Sequence, residues 1–308
     1  MTLALIAAAD AGRHDTGWGH PEHAGRLRTL PAALRERPTL LEQLVHVDAR
    51  HATEAELAIA HDPRYVDSVR ALVAAGGGRL DADTVVSEGS WDAATAGAGA
   101  VLDGIDLAFG SESSRSFCCV RPPGHHALRN ASMGFCLFGN VAIGALYARQ
   151  RHGAERVLIV DWDVHHGNGT QSLVEHERDI HFVSMHQWPW YPGTGAADDR
   201  GPHHNVWNVP MRAGLAPEAY VDALTGAIDA ATTGFTPDLV LISAGFDSLR
   251  GDPLGAFTLE YEHIASLTRL LVDRANDWCR GRIVSALEGG YAPERLGEAI
   301  AWHMEALV

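Results

Sequence analysis

Apolar residues occur along this chain in short continuous runs, and longer stretches between the runs have apolar positions every three or four residues. A run of four to eight β-branched and aliphatic residues is typical of a strand buried on both faces of a parallel sheet. On this basis we predict strands at residues 3–9, 117–120, 157–163, 180–185, 206–209, 239–244 and 283–287.

The stretches between the runs predict helices. One is expected near residues 26–37, and another has Pro63 in its first turn and reaches the glycines at 76–78. Further helices are predicted at 91–109, 139–151, 217–232, 259–278 and 294–307. Strands that alternate with helices imply right-handed crossovers and a parallel sheet with helices on both faces. Because no linker, repeat or low-complexity segment interrupts the pattern, we expect residues 1–308 to form a single α/β domain.

Composition narrows the classes of function. No apolar run approaches the ~18 residues that span a bilayer, and the run at 3–9 lacks the basic flank of a signal peptide. Four cysteines without Cys-x-x-Cys spacing suit a reducing compartment. The formal net charge of −15 argues against nucleic-acid binding. It would favour cationic substrates, although a solvated acidic surface is the commoner explanation. We therefore expect a cytoplasmic protein without nucleic-acid or membrane partners.

The strongest chemical signal follows the apolar run at 156–160. Side chains alternate along a strand, so Asp161, Asp163 and His165 would project to the same side where the strand ends. In open α/β sheets, ligands bind beyond the carboxyl ends of the strands. Carboxylate oxygens and one imidazole nitrogen suit a divalent ion, zinc above others. The alternative is a polar strand end whose acid caps the next helix.

Three other predicted strands also end in polar side chains. His125 and His126 follow the strand at 117–120, Asp247 follows that at 239–244, and Tyr291 follows that at 283–287. If these ends share one edge of the sheet, Asp247 could join Asp163 and His165 around zinc, with an open position left for water. An imidazole could then move the protons of a hydrolysis, and a phenol could donate to a developing oxyanion. The pattern therefore predicts an amide hydrolase.

Several motifs together resemble one family. They are RPPGHH at 121–126, GFC at 134–136, DxDxHHGNGTQ at 161–171, YPGTG at 191–195, AGFD at 244–247 with GDP at 251–253, and EGGY at 288–291. The chain is similar in these positions to the zinc-dependent histone deacetylases and their bacterial relatives, the histone deacetylase-like amidohydrolases and acetylpolyamine amidohydrolases. The likeness extends from the HPEH loop at 20–23 to Tyr291.

The resemblance implies an arginase–deacetylase fold with an eight-stranded parallel sheet, and hydrolysis of an N-acetyl amide to acetate and a free amine. It implies one zinc ion held by Asp163, His165 and Asp247. The roles it implies for the remaining polar residues are a general base and acid for His126, an electrostatic partner for His125, carbonyl polarisation for Tyr291, and orientation of the two histidines for Asp161 and Asn168.

The resemblance also implies a substrate channel and a second ion. Residues assigned to the channel are Phe135 and Tyr191 as its walls, Gly134 beside Phe135, Leu254 at its entrance and Asp83 on its rim. An apolar tube suits the methylene groups of an acetylated lysine or a similar acylated amine. A structural potassium ion would lie near Asp161 and Ser184.

Two departures refine the resemblance. Asn168 stands where class I members have a second aspartate, which places the chain with class II. Leu254 stands where a polyamine-specific relative has a glutamate, which argues against selection of a cationic tail by that device.

The sequence also allows two other functional hypotheses. One is an acetylpolyamine or other small acyl-amine amidohydrolase, and another is a non-catalytic acyl-binding module. An arginase-like enzyme with two manganese ions is disfavoured, because Phe246 and Ser248 flank Asp247 where a bridging acid would be needed. A homo-oligomer, the acyl-chain preference and the conformation of the rim loop at 186–204 are not determined by the sequence.

Overall fold

The structure is a computed structural model that describes residues 2–110 and 114–308. Its strands are β1 (Leu3–Ala7), β2 (Leu44–Asp48), β3 (Gly78–Arg79), β4 (Val85–Val86), β5 (Arg115–Cys119), β6 (Val157–Asp161), β7 (Ile180–Gln187), β8 (Val206–Met211), β9 (Leu239–Ala244) and β10 (Ile283–Leu287). Eight of them form one sheet in the order β2-β1-β5-β10-β9-β6-β7-β8. Every neighbouring pair in that sheet is parallel, which confirms the predicted architecture.

Helices cover both faces of the sheet. They are α1 (Leu30–Arg35), α2 (Pro38–Gln43), α3 (Glu54–Leu57), α4 (Pro63–Ala74), α5 (Ser90–Gly110), α6 (Asn140–His152), α7 (Asn168–Val174), α8 (Pro217–Thr232), α9 (Tyr261–Cys279) and α10 (Pro293–Leu307). Successive side chains of β6 show the two-sided burial that the apolar runs predict. Val157 and Ile159 belong to the core on one face, together with residues of α4, α5 and α6, whereas Leu158 and Val160 belong to the core on the other face, together with residues of α1, α8, α9 and α10. None of the described helices is both long and apolar enough to cross a bilayer.

Several of the sequence-based boundaries need correction. The helix predicted at 26–37 is wrong as one element: the chain makes a 3₁₀ turn at Ala24–Leu27, and Pro31 and Pro38 then lie in the first turns of two separate short helices. The predicted strands at 3–9 and 157–163 are each two residues too long, because they end at Ala7 and Asp161. Strand β2 was not predicted, because it lies at the sheet edge and most of its side chains face solvent.

A buried histidine ties the chain before α4 to the loop that precedes α6. The Nδ1 atom of His61 lies 2.9 Å from the carbonyl oxygen of Leu128, and its Nε2 atom accepts a hydrogen bond of 2.9 Å from Gly139 N–H. This pair of partners requires a neutral ring with its proton on Nδ1. Burial lowers the pKa of His61 to about 4.

His61 makes stability depend on pH. Because its pKa is about 4 in the folded state and 6.5 ordinarily, the unfolded chain binds a proton between these values that the native protein does not, so stability falls as pH drops through this window. We expect the free-energy difference between wild type and His61→Gln to narrow by about 2 kcal/mol from pH 7 to pH 5. Urea unfolding of both proteins across this range measures it. A constant difference would show that His61 does not titrate in this way.

Candidate active site

Four neighbouring strands carry the polar residues of the site. Strands β5, β10, β9 and β6 are consecutive in the middle of the parallel sheet, so their carboxyl ends lie side by side. These are the strands followed by the two adjacent histidines, by Tyr291, by Asp247 and by the carboxylates of 161–163. The sheet order therefore brings together the strand ends that the sequence singled out.

Three buried side chains form a possible metal site. Asp163, His165 and Asp247 each offer a ligand atom, and these atoms lie within 4.8 Å of one another. The Nδ1 atom of His165 is 3.0 Å from Asp163 Oδ1 and 3.2 Å from Asp247 Oδ2. Backbone groups hold the carboxylates: Val164 N–H donates to Asp247 Oδ1 over 2.8 Å, and Gly289 N–H donates to Asp163 Oδ2 over 2.8 Å.

Glycine is required at position 289, because the backbone there lies close to the carboxylates of Asp163 and Asp247. A Cβ atom there would lie 2.1 Å from Asp247 Oδ2 and 2.5 Å from Asp163 Oδ2. Any side chain would therefore push the carboxylates apart or displace the backbone. The glycine pair before Tyr291 thus serves the carboxylate cluster as well as the turn that presents the phenol.

The donor set fits a bound cation. Asp247 Oδ2 is buried and makes no hydrogen bond, although His165 Nδ1 lies 3.2 Å away, and a buried carboxylate oxygen without a hydrogen bond is unfavourable. Burial, and then the negative charge of Asp163, raise the pKa of the Asp247 carboxyl to about 7. A divalent ion would bind this oxygen and offset the negative charges of the two carboxylates. Two carboxylates and one imidazole are a ligand set that zinc accepts, with a fourth position left for water.

Two histidines lie beside this cluster with different partners. His125 Nδ1 is 3.0 Å from Asp161 Oδ2, and His126 Nδ1 is 2.7 Å from Asn168 Oδ1. Burial opposes a charge on His125, but Asp163 and Asp161 outweigh it and raise the pKa of His125 well above its ordinary value. For His126, burial and the neighbouring His125 lower the pKa well below the ordinary value. One imidazole is therefore cationic and the other is neutral, as a base must be.

Three contacts hold Tyr291 in place: a backbone hydrogen bond, a ring contact and a cation–π contact. Its backbone N–H donates to Asp252 Oδ2 over 2.6 Å, its ring meets that of Phe135 at 5.7 Å, and the Arg26 guanidinium lies 4.7 Å from its ring centroid. Burial raises the pKa of the Tyr291 phenol well above its ordinary value. The hydroxyl is consequently protonated throughout the neutral range and can act as a donor.

A buried ion network behind Tyr291 was not anticipated from the sequence. Arg26 donates to the carbonyl oxygens of Gly290 and Glu288, each over 2.8 Å, and pairs with Glu22 over 3.0 Å. Glu22 also accepts a bond of 2.7 Å from Arg121. A buried charge without a partner is costly, so Arg26 is held in place by its pairing with Glu22. Its bonds to the two carbonyl oxygens then fix the backbone of the turn before Tyr291. The spacing of Glu22 and Arg26, four residues apart in the HPEH loop region, was the available signal.

His126, His165 and Tyr291 line a pocket of about 260 Å³. Its lining residues are Asp83, His126, Gly134, Phe135, His165, Trp190, Tyr191, Pro253, Leu254 and Tyr291. All five residues predicted to bind substrate are among them, whereas Trp190 and Pro253 were not predicted. Tyr191 and Trp190 are 38% and 44% exposed, so they form the outer wall. The Trp190 indole donates to the Leu254 carbonyl oxygen over 2.9 Å, which joins the rim loop to the opposite side of the mouth.

Asp83 supports the pocket wall directly. Its Oδ1 atom accepts a hydrogen bond of 3.1 Å from Gly134 N–H, and Thr84 Oγ1 accepts one of 3.1 Å from Phe135 N–H. Gly134 and Phe135 both have positive φ, 56° and 68°. A Cβ at 134 would lie 2.3 Å from His126 Cδ2, so only glycine leaves room for that imidazole.

His166 of the DxDxHHGNGTQ motif and Ser184 of β7 do not line the pocket. His166 faces away from the carboxylate cluster, with Nδ1 2.8 Å from Thr194 Oγ1 and Nε2 2.9 Å from Gln171 Oε1. Ser184 pairs in register with Asp161 across β6 and β7, and its Oγ lies 3.1 Å from His186 Nδ1.

The known proteins that this chain resembles are histone deacetylases and related deacetylases. The sequence model of the histone deacetylase domain matches residues 20–307. A histone deacetylase-like amidohydrolase of Pseudomonas aeruginosa is 35% identical over 90% of this chain and 75% of its own length. The polyamine deacetylase HDAC10 of Homo sapiens is 38% identical over 100% of this chain, which spans 48% of that relative. A crystal structure of the HDA15 HD domain superposes with a TM-score of 0.92 at 35% identity, over 99% of this chain and 90% of that one.

Proposed function

The chain belongs to the histone deacetylase family, whose members hydrolyse N-acetyl amides, and we propose that it does so with one bound zinc ion on acetyl-lysine or a similar acylated amine. The observation that carries the proposal is the buried triad of Asp163, His165 and Asp247. One of its carboxylate oxygens makes no hydrogen bond, and its His165 lines the same pocket as His126 and Tyr291. We further propose that residues 1–308 act as one catalytic domain, and that the protein works in the cytoplasm.

Each polar residue has a task in this reaction. Zinc held by the triad would polarise the amide carbonyl and acidify a water molecule. His126 keeps its proton on Nδ1, against Asn168 Oδ1, so Nε2 is free to accept a proton from the attacking water and return it to the leaving amine. The Tyr291 hydroxyl donates to the carbonyl oxygen as negative charge develops there.

His125 and Asp161 act through charge. The His125 imidazolium, paired with Asp161, lies 3.7 Å from Asp163 Oδ1 through its Nε2 atom. It offsets part of the negative charge of the carboxylate cluster and attracts the developing oxyanion. We also propose that Asp161 and Ser184 border a structural potassium site, and that Asn168 marks the protein as a class II member.

The pocket supports a substrate with an aliphatic arm. Phe135 and Tyr191 line the pocket, and their rings would favour methylene groups and exclude water. Asp83 on the rim would orient the part of the substrate outside the pocket. Leu254 offers no charge to a cationic tail, so we propose an acetylated lysine in a peptide as the first substrate to test.

A small acetylated polyamine is the second candidate. The similarity to a polyamine deacetylase favours it, as does the formal net charge of −15. Comparing kcat/KM for an acetyl-lysine peptide and for acetylputrescine distinguishes the two. A ratio above 10 in either direction would assign the substrate class.

Zinc dependence is tested by removing and restoring the metal. We expect protein stripped by a chelator to lose deacetylation of an acetyl-lysine peptide, and one equivalent of zinc per chain to restore it, because the triad offers one set of ligands. Metal content measured by mass spectrometry checks the stoichiometry. Asp247→Ala should bind zinc at least about 100-fold more weakly, since it removes a ligand and the oxygen that makes no hydrogen bond. Full activity of the stripped protein, or two ions per chain, would contradict the proposal.

A further inference from the structure

The Asn168 side chain lies between two very different partners. Its Oδ1 atom is 2.7 Å from Nδ1 of His126, and its Nδ2 atom donates to the sulfur of Met133 over 3.3 Å. Met133 begins the turn that contains Gly134 and Phe135 and is half-buried, and its side chain does not line the pocket. Nothing about the proposed reaction so far requires a methionine at this position.

The orientation of the Asn168 amide decides where the His126 proton lies. A neutral imidazole has one N–H, so an oxygen opposite Nδ1 requires that proton on Nδ1 and leaves the Nε2 lone pair free. If the amide were turned over, its NH₂ group would face Nδ1. Nδ1 would then have to accept, and the proton would move to Nε2. A ring in that tautomer cannot take a proton from water at Nε2.

The amide itself does not choose between the two orientations. The oxygen and the NH₂ group of an asparagine have nearly the same size, so neighbouring donors and acceptors determine which way the group points. A thioether sulfur can only accept a hydrogen bond. Placed on the side away from His126, it favours the NH₂ group there and the oxygen towards the imidazole.

His125 provides a contrast within the same site. Its Nδ1 atom faces a carboxylate, that of Asp161. Both oxygens of a carboxylate accept, so there is no wrong orientation and no third residue is needed. His126 depends on a carboxamide instead, and that carboxamide has an acceptor on its other side.

We propose that Met133 is a positioning residue, whose thioether orients the Asn168 amide and thereby holds His126 in the tautomer with Nε2 free. The proposal rests on the proposed role of His126 as the base. It concerns a residue that does not touch the substrate, so it predicts an effect on kcat without one on KM.

Substitutions at 133 test this in two backgrounds. Met133→Leu keeps the shape and removes the acceptor, and we expect kcat for an acetyl-lysine peptide to fall about 2- to 5-fold. Met133→Lys replaces an acceptor by a donor that favours the reversed amide, so kcat should fall at least about 10-fold. In an Asn168→Asp background the carboxylate presents an oxygen to His126 either way. Both substitutions should then change kcat less than about 2-fold relative to Asn168→Asp alone.

Two outcomes would overturn the proposal. One is a loss of equal size in both backgrounds, which would mean that Met133 acts by packing; the other is wild-type kcat in Met133→Lys. Nitrogen-15 spectra of histidine-labelled, zinc-loaded protein, assigned by comparison with His126→Ala, read the tautomer directly. The proton of His126 should lie on Nδ1 in wild type and move to Nε2 in Met133→Lys. If wild type lacked deacetylase activity, the proposed function would fail, while these spectra would still decide the role of Met133.

Discussion

Replacing Tyr291 by phenylalanine is expected to lower kcat for an acetyl-lysine peptide by about 100- to 1,000-fold, the usual loss when one oxyanion donor is removed. The substitution deletes only the hydroxyl. The ring keeps its contacts with Phe135 and the Arg26 guanidinium, and the backbone N–H keeps its bond to Asp252. KM and zinc content should therefore stay within about 3-fold of wild type.

Tyr147→Phe is the matched control for this substitution. Its hydroxyl donates to Asp106 over 3.0 Å, outside the pocket, so the same deletion there should leave kcat unchanged. Steady-state kinetics of both variants on one peptide make the comparison. If Tyr291→Phe retained the wild-type rate, the phenol would not be the carbonyl donor, and the other donors near the carbonyl, His125 among them, would have to supply the stabilisation.

His126→Ala should lower kcat by about 100- to 10,000-fold, because no other neutral imidazole of the described chain lines the pocket at a position free to accept a proton. His165 also reaches the pocket, but its Nδ1 atom faces two carboxylates. Zinc content should not change, since His126 is not part of the metal-binding group. Single-turnover acetate release from zinc-loaded protein measures the chemical step.

The control for the base is His176→Ala. This histidine is 77% exposed and lies outside the pocket, so its removal should not affect acetate release. Unchanged acetate release in His126→Ala would assign the proton transfer to another group. Loss of zinc in the same variant would instead point to a change in the triad, and metal analysis separates these explanations.

Much of the site could be predicted because its residues follow strand ends. A buried strand shows itself as a continuous apolar run, and a charged or glycine-rich group after such a run is visible locally. Asp163, Asp247 and Tyr291 all stand in this position after an apolar run. The motifs around them then supported the family that the comparisons show.

Residues that act across the fold were not visible in this way. Arg26 contacts the carbonyl of a residue 264 positions later, and Asn168 contacts the sulfur of a residue 35 positions earlier. Neither contact has a local pattern, because each depends on which loops the sheet brings together. The prediction of a single helix at 26–37 was wrong for a related reason. The prolines divide this stretch into two helices, and the buried partners of Arg26 hold residues 24–27 in a 3₁₀ turn before the first of them.

The sequence by itself determined the class of fold, the strand ends that carry chemistry and the types of group available for hydrolysis, since periodicity, turns and side-chain chemistry are local properties. Only the tertiary structure decided that β5, β10, β9 and β6 are neighbours. It also decided that one buried oxygen of Asp247 makes no hydrogen bond and that Asn168 lies between an imidazole and a thioether. These features depend on strand order and on the packing of distant segments, which the pattern along one strand or helix does not specify.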